Sequence, residues 1–201
     1  MIQSISKELC AVEIPRHEGQ FKMMPFELSD LLTVPEKFRD LVGKMIESLP
    51  IKKGISFLTV DCREIQAGNS HRRGGAHIDG NYIPENSVKG NWGGGNGWKV
   101  GEGGRVLSSE HHKLSYESET GGMLIVSDYA ACKGWNGDFE GKPYVGGDCT
   151  RVKLDEGFIL KPNVVYYGNS QFIHESLPIS ENVFRHLVRI TLPIDYPQLF
   201  N

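Results

Sequence analysis

Three places in the sequence bring together residue types that bind metal ions and acids. The first is His77-Ile78-Asp79, set in Gly74-Gly75-Ala76-His77-Ile78-Asp79-Gly80-Asn81-Tyr82. The second is His174, within Gln171-Phe172-Ile173-His174-Glu175-Ser176-Leu177-Pro178. The third is the run Arg185-His186-Leu187-Val188-Arg189-Ile190-Thr191-Leu192-Pro193. On a strand, residues two apart point to the same face. His77 and Asp79 can therefore offer an imidazole and a carboxylate to one ion, and His174 can supply a third ligand from a distant strand. Two histidines and one carboxylate on one face of an octahedral ion leave three positions open, the arrangement non-haem Fe(II) uses to take a chelating co-substrate and dioxygen.

The same alternation puts Arg185, Leu187, Arg189 and Thr191 on one face. An arginine there can grip a carboxylate through two parallel hydrogen bonds. A 2-oxo acid that chelates iron at one end presents such a carboxylate at the other. Arg185 and Arg189 both remain open as the anchor; Arg189 is preferred because Thr191 adds a hydroxyl on its face, which leaves Arg185 free to meet a substrate.

These residues need strands to carry them. Ile55 to Ile65, Arg105 to Ser108, Met123 to Ser127, Phe158 to Leu160, Val164 to Tyr167, Phe172 to Glu175 and Phe184 to Leu192 are short β-branched or aromatic runs separated by Gly, Asn, Asp and Pro clusters. One segment, Pro35 to Leu49, reads as a helix. Its Phe38, Leu41, Val42, Met45, Ile46 and Leu49 fall at steps of three and four, and Pro50 ends it. A shorter helical turn is expected from Ser29. Residues 81–104 are glycine-rich, with Gly93-Gly94-Gly95-Asn96-Gly97-Trp98 and Gly101-Glu102-Gly103-Gly104. No helical pattern follows them, so a phosphate-binding glycine loop is excluded and a lid over the site is expected.

The chain of 201 residues suits one domain. The expected fold is mainly β with N-terminal helices (α+β), a double-stranded β-helix of the jelly-roll or cupin-like kind. Residues 1–52 form a helical support and residues 53–195 the β core. Lysine and arginine number 22 against 25 acidic residues, a net charge of −3, which excludes a chain-wide basic coat for duplex DNA. Glycine accounts for 24 residues, half of them between Gly68 and Gly104. The four cysteines, Cys10, Cys62, Cys132 and Cys149, form no CxxC pair, so free thiols are expected. No apolar run approaches a membrane span, and the first residues lack a signal-peptide layout, so a cytoplasmic location is expected.

HxD, a later His with a following proline, and then an arginine strand resemble, in that order, the Fe(II)/2-oxoglutarate-dependent dioxygenases, over about Ile55 to Pro193. The resemblance implies a double-stranded β-helix, Fe(II) held by His77, Asp79 and His174, 2-oxoglutarate as co-substrate and O2 as oxidant. It implies hydroxylation of an unactivated C–H bond. Arg185 stands eleven residues after His174, a separation similar to that in the phytanoyl-CoA-hydroxylase-like and taurine-dioxygenase-like branches. Arg189-Ile190-Thr191-Leu192, fifteen residues after it, resembles the Arg-Ile-Ser-Leu strand of the TET branch of the TET/J-binding-protein group, which oxidises the methyl of 5-methylpyrimidines in DNA. The offset of Asn81 from the ligands differs from that group, and its cysteine-rich zinc-binding extension has no counterpart in this sequence. The substrates implied are a nucleobase in nucleic acid or a nucleotide, and otherwise a small molecule, an amino acid or a protein side chain. Asn81, Tyr82, Arg73 and Trp98 are the candidate substrate contacts, with aromatics able to stack on a planar base.

Each residue also has a plainer role available. Asp79 before Gly80 suits a turn. His111 and His112, adjacent, face opposite ways on a strand and read as surface residues. His71, Arg72 and Arg73 read as a solvated loop or a basic rim for an anionic substrate, and Arg63 as a further co-substrate contact. Trp135 and Tyr129 read as packing residues. A non-catalytic cupin-like binding module would use the same pocket without iron. A cupin-type isomerase or a cofactor-independent dioxygenase would need more histidines than HxD supplies.

Overall fold

The apolar stripe at residues 38–49 closes as a helix, α1 (Glu36–Glu47), in a computed structural model that describes residues 1–79, 121–144, 147–193, 196, 197 and 199. Pro35 occupies the N-cap position at φ −52, and the chain leaves the helix at Ser48. Glu36 in the first turn and Lys44 in the last complement the helix dipole. The short turn expected from Ser29 is a 3-10 turn, Leu31–Thr33, started by the Asp30 carboxylate accepting from the Leu32 N–H.

Strands follow in the order β1 (Ile2–Ser4), β2 (Ser6–Ala11), β3 (Gly19–Glu27), β4 (Ile55–Ile65), β5 (His77–Ile78), β6 (Met123–Ser127), β7 (Cys132–Trp135), β8 (Gly137–Phe139), β9 (Phe158–Ile159), β10 (Val164–Gly168), β11 (Ile173–Ser176) and β12 (Val183–Thr191). They build antiparallel sheets. One has six strands in the order β2-β10-β6-β12-β4-β3, one has four in the order β5-β11-β7-β9, and β1 pairs with β8. From β4 onward the described strands, β8 aside, cross between the two larger sheets at every step except β7 to β9, which both lie in the four-stranded sheet.

Alternation along the strands sorts their side chains into layers. Leu58, Val60 and Cys62 of β4, Leu124 and Val126 of β6, and Val188 and Ile190 of β12 pack with α1 on one face of the six-stranded sheet. The intervening residues turn to the opposite face. There Met123, Ile125 and Leu187 join Cys132 of β7, Tyr166 of β10 and Phe172 in a second cluster that ties the two sheets together. A third cluster, with Ile78, Trp135 and Ile173, covers the far face of the four-stranded sheet and meets Ile2 and Phe139 of the β1–β8 pair. The expected β-rich architecture with a helix on one face is present.

The N-terminal region departs from expectation. Residues 1–52 hold three strands and a single α-helix instead of a helical support. The reason lies in the strands' place in the sheet. Strands β2 and β3 are the two edges of the six-stranded sheet. An edge strand tolerates charge and proline, as in Ser6-Lys7-Glu8-Leu9 and at Pro25, and these break the alternation that marks a strand in sequence. Strand β3 also carries a bulge between Phe21 and Met24. Met23 lies in it at φ 53, a left-handed conformation that costs a side-chain-bearing residue free energy. The bulge turns Met23 away from α1 and toward the face that carries Arg189.

Among the described residues no helix is long and apolar enough to cross a membrane. All four cysteines are free thiols, as expected.

Phe38 tests the layer arrangement. It is 1% exposed and meets the Phe21 ring edge-to-face at 5.5 Å. Phe38→Ala should cost about 3–5 kcal/mol. In urea titrations the unfolding midpoint should fall with the m-value unchanged.

Candidate metal centre

His77 on β5 and His174 on β11 are directly opposed in the antiparallel register of these two strands. Their ring centroids lie 4.6 Å apart. Asp79, two residues beyond His77, turns to the same side. One ligand atom from each of His77, Asp79 and His174 can be chosen so that all lie within 4.8 Å of one another, a spacing that could hold a metal ion. All three residues are buried.

Both imidazoles are oriented by backbone. His77 Nδ1 lies 2.7 Å from the Gly75 carbonyl oxygen, and His174 Nδ1 lies 3.1 Å from that of Phe172. A carbonyl only accepts, so each Nδ1 carries the proton and each Nε2 keeps its lone pair for a cation. Burial, then the neighbouring His174, hold His77 down to about 3; burial likewise lowers His174. Both are neutral at pH 7, the form that ligates. Burial works against the Asp79 carboxylate, but Arg189, His174, His77 and Arg72 together outweigh it and hold its pKa well below the usual range. Arg189 Nη1 contacts Asp79 Oδ2 directly.

A two-residue strand needs outside support to fix a ligand. The far side of β5 receives it from residues 147–149: His77 bridges to Asp148, and the Cys149 N–H donates to the Ala76 carbonyl at 2.8 Å. Behind His174 the Phe172 ring lies stacked at 5.4 Å. Gly134, opposite His174 on β7, leaves room for that ring, since a Cβ there would come within 2.7 Å of it.

Two buried arginines flank the histidines on the inner face of β12. Arg185, 0% exposed, donates from Nε to Ser127 Oγ at 2.9 Å, from Nη1 to Ser176 Oγ at 3.4 Å and from Nη2 to Cys132 Sγ at 3.0 Å. Among the described residues it has no carboxylate within ion-pair distance. Arg189 pairs with Asp79, while its Nη2 and the Thr191 hydroxyl each lie 3.9 Å from Met23 Sδ.

Asp61 anchors a third group. It faces the interior from β4, with Arg63 Nε at 3.0 Å, His71 Nε2 at 3.2 Å and Arg72 Nη1 at 3.3 Å. Burial raises its pKa, but His71, Arg72 and Arg63 outweigh that and bring it from 3.8 to about 2. The loop expected to be solvated at His71 and Arg72 is thus drawn inward: His71 is 1% exposed, and burial lowers its pKa. Its Nδ1 has no hydrogen-bond partner among the described residues. Arg63, expected on a co-substrate, is engaged with Asp61 and with the His71 carbonyl. The desolvation cost of Asp61 selects the inward position, because a buried carboxylate needs cations near it.

The structure therefore brings together His77, Asp79, His174 and Arg189, and sets Arg185 and Thr191 on the same strand face. Arg73 is exposed. Asn81, Tyr82 and Trp98 lie outside the described residues, as do the 81–104 loop, Trp92, the Arg105 to Ser108 run, His111 and His112. Trp135 is buried and donates from its indole N–H to the Asp155 carbonyl at 3.0 Å, in the expected packing role. Met23, Asp61, Ser127 and Ser176 also face the site. Ser176 could have been found by alternation from His174; Met23 has no sequence signal, because its position depends on the bulge.

Searches against family models, curated proteins and solved structures return no match to this chain.

The Asp61 cluster has a pH signature. A carboxylate with a lowered folded pKa adds stability above its unfolded value and loses it as pH falls through the folded value. The unfolding free energy should drop by about 2 kcal/mol from this group between pH ~4 and ~2. Asp61→Asn should lose about 1–3 kcal/mol at pH 7, because it leaves the partly buried Arg72 guanidinium without its carboxylate partner, and should flatten that acid-dependent part. Denaturant titrations at pH 7, 4 and 3 measure both.

Proposed function

We propose that this protein is an Fe(II)- and 2-oxoglutarate-dependent oxygenase whose core is a double-stranded β-helix. The observation that carries the reading is the gathering of His77, Asp79 and His174 donor atoms within 4.8 Å, between two sheets, with both histidine Nε2 atoms free of protons. The strand order supports the fold assignment. Strands β4, β12, β6 and β10 adjoin in one sheet and β5, β11, β7 and β9 in the other, and the chain crosses between them at every step but β7 to β9, the connectivity expected when two sheets are wound as one helix. Two neutral imidazoles and one carboxylate fit Fe(II), and no cysteine belongs to the group.

When bound, Fe(II) supplies the chemistry that couples 2-oxoglutarate, O2 and a substrate C–H group to succinate, CO2 and the hydroxylated product. The chain's own part is positional. His77 and His174 are held by their backbone carbonyls, so their lone pairs converge without cost at the moment of binding. Asp79 brings the compensating negative charge. Buried walls from both sheets keep bulk water from the reacting group. Arg185 holds the distal carboxylate of the co-substrate. It is fully buried, lacks a carboxylate among the described residues, and has two serine hydroxyls beside it, Ser127 and Ser176. The sequence favoured Arg189 for this role on the strength of Thr191. In this reading the preference passes to Arg185, because Arg189 is already turned to Asp79.

One observation favours a second reading. The Arg189–Asp79 contact satisfies the carboxylate without a metal, as a non-catalytic cupin-like binding module would require. Anaerobic reconstitution with Fe(II), followed by metal analysis and a succinate-release assay, separates the two. Asp79→Ala and His174→Ala should each lose bound iron and reduce succinate formation at least a hundredfold, with the circular dichroism spectrum retained. Undiminished turnover or iron content in either variant would falsify the oxygenase assignment. Arg185→Gln should raise the 2-oxoglutarate requirement more than Arg189→Gln; the opposite ranking would return the anchor to Arg189.

A further inference from the structure

We infer that His71 takes up a proton when a carboxylate settles on Arg185, so that co-substrate binding and proton uptake form one linked step. The inference deepens the oxygenase reading and rests on it. His71 is a buried titratable group outside the ligand set, six residues before His77 and 1% exposed. Its Nε2 faces Asp61 Oδ1 at 3.2 Å. A carboxylate only accepts, so Nε2 carries the single ring proton and Nδ1 keeps a lone pair. That Nδ1 has no hydrogen-bond partner among the described residues. A buried lone pair without a donor is a place for a second proton, and the Asp61 carboxylate already stands where it would hold the resulting imidazolium.

The arginines decide when that proton can arrive. Arg185 and Arg63 are directly opposed in the register of β12 and β4. Opposed residues of an antiparallel pair share a face, and like charges there repel. Arg63 Nε lies 3.0 Å from Asp61 Oδ1, and Arg72 Nη1 lies 3.3 Å from Asp61 Oδ2. One carboxylate thus serves two guanidiniums and His71, while Arg185 has none within ion-pair distance among the described residues. Ser176 Oγ draws the loop and Arg185 to the same place. It accepts from the Arg72 backbone N–H at 3.2 Å and from Arg185 Nη1 at 3.4 Å.

Among the described residues the charges around His71 are therefore Asp61 and Arg63 from β4, Arg185 from β12 and Arg72 on its own loop. Three positive charges against one negative oppose a fourth. Burial is the first cause that holds the His71 pKa below its ordinary value; Asp61 pulls it up, and Arg185 and Arg63 push it down again. A carboxylate on Arg185 cancels one of the three cations. The pull of Asp61 then meets less opposition, and the imidazolium is favoured. A ligand whose binding takes up a proton binds more tightly as pH falls.

Calorimetry on the full chain saturated with Mn(II), an O2-inert stand-in for Fe(II), tests this. The metal keeps His77 and His174 unprotonated, and both carboxylates of 2-oxoglutarate stay ionised across the range used. If 2-oxoglutarate does not bind, the oxygenase reading fails and the inference falls with it. If it binds, titrations at pH ~6.5 in two buffers of different ionisation heat count the protons. Net uptake of about 0.3 proton or more is expected, with affinity at least about threefold weaker at pH ~8 than at pH ~6. Binding without net uptake overturns the inference and leaves the oxygenase reading standing. His71→Gln should abolish both the uptake and the pH dependence; their survival places the proton elsewhere and overturns the inference. Should that variant fail to fold, Arg63→Gln removes a repelling charge at a half-exposed side chain. It should move the fall in affinity to higher pH, and an unmoved profile overturns the inference.

Discussion

The register between β5 and β11 is the constraint on which the site depends. It sets His77 against His174 across one antiparallel pair, and everything else at the centre is placed relative to those two rings. A hydrogen-bonded sheet fixes Cα positions to a fraction of an ångström, but β5 has only two residues with which to hold its place. Its fixity comes from both flanks. One neighbour is β11, and the other is the 147–149 segment, where Gly147 at φ 72 lets the chain come against Ile78 closely enough that a Cβ would collide with its carbonyl. The ring orientations follow from the same backbone, since each histidine is tied to the carbonyl two residues before it.

The space enclosed between the sheets is unusual for a β core because it is charged. Ordinary packing would fill the inner face of β12 with residues such as Leu187, and the outer face, with Val188 and Ile190 against α1, is built that way. Burying the guanidiniums of Arg185 and Arg189 and the carboxylates of Asp61 and Asp79 instead, with Arg72 partly buried beside them, is a net cost unless partners are supplied. The stability of the molecule therefore rests on the apolar clusters on the outer sides of the two sheets and on the Met123, Ile125, Leu187 and Phe172 cluster between them, which leaves the rest of the inner face free to carry charge. Asp61 illustrates the division: it draws His71 and Arg72 out of solvent and into the interior, where they line the site.

How much of this was legible in the sequence depended on how local each feature is. The α1 stripe and strands β4, β6, β9, β10, β11 and β12 follow from short-range periodicity, and their observed bounds match the expected ones within two residues, whereas β5, β7 and β8 were marked by no such run and the expected Arg105 to Ser108 run lies outside the described residues. That His77 and Asp79 share a face, and that Arg185 and Arg189 do, was also local. Their convergence with His174 depends on strand order, which the sequence suggests only through family resemblance. The features missed are non-local or conformational. The cluster around Asp61 needs a loop to fold back onto a strand. The edge strands β2 and β3 carry charge and proline because half their backbone lacks a sheet neighbour. Met23 reaches Arg189 through a positive φ that no side-chain pattern announces.

The nine-residue β12 is bonded on both sides, to β4 along its whole length and to β6 over residues 187–191. Its two faces do opposite work, one sealing against the helix and one lining the charged interior. Such a strand can exchange individual side chains over evolutionary time, but it cannot gain or lose a single residue. A one-step slip would drive both guanidiniums into oil and bring valine and isoleucine to the candidate metal centre. Divergence among descendants of this chain is therefore channelled into substitution along β12, while changes of length are diverted to the connections beyond its ends.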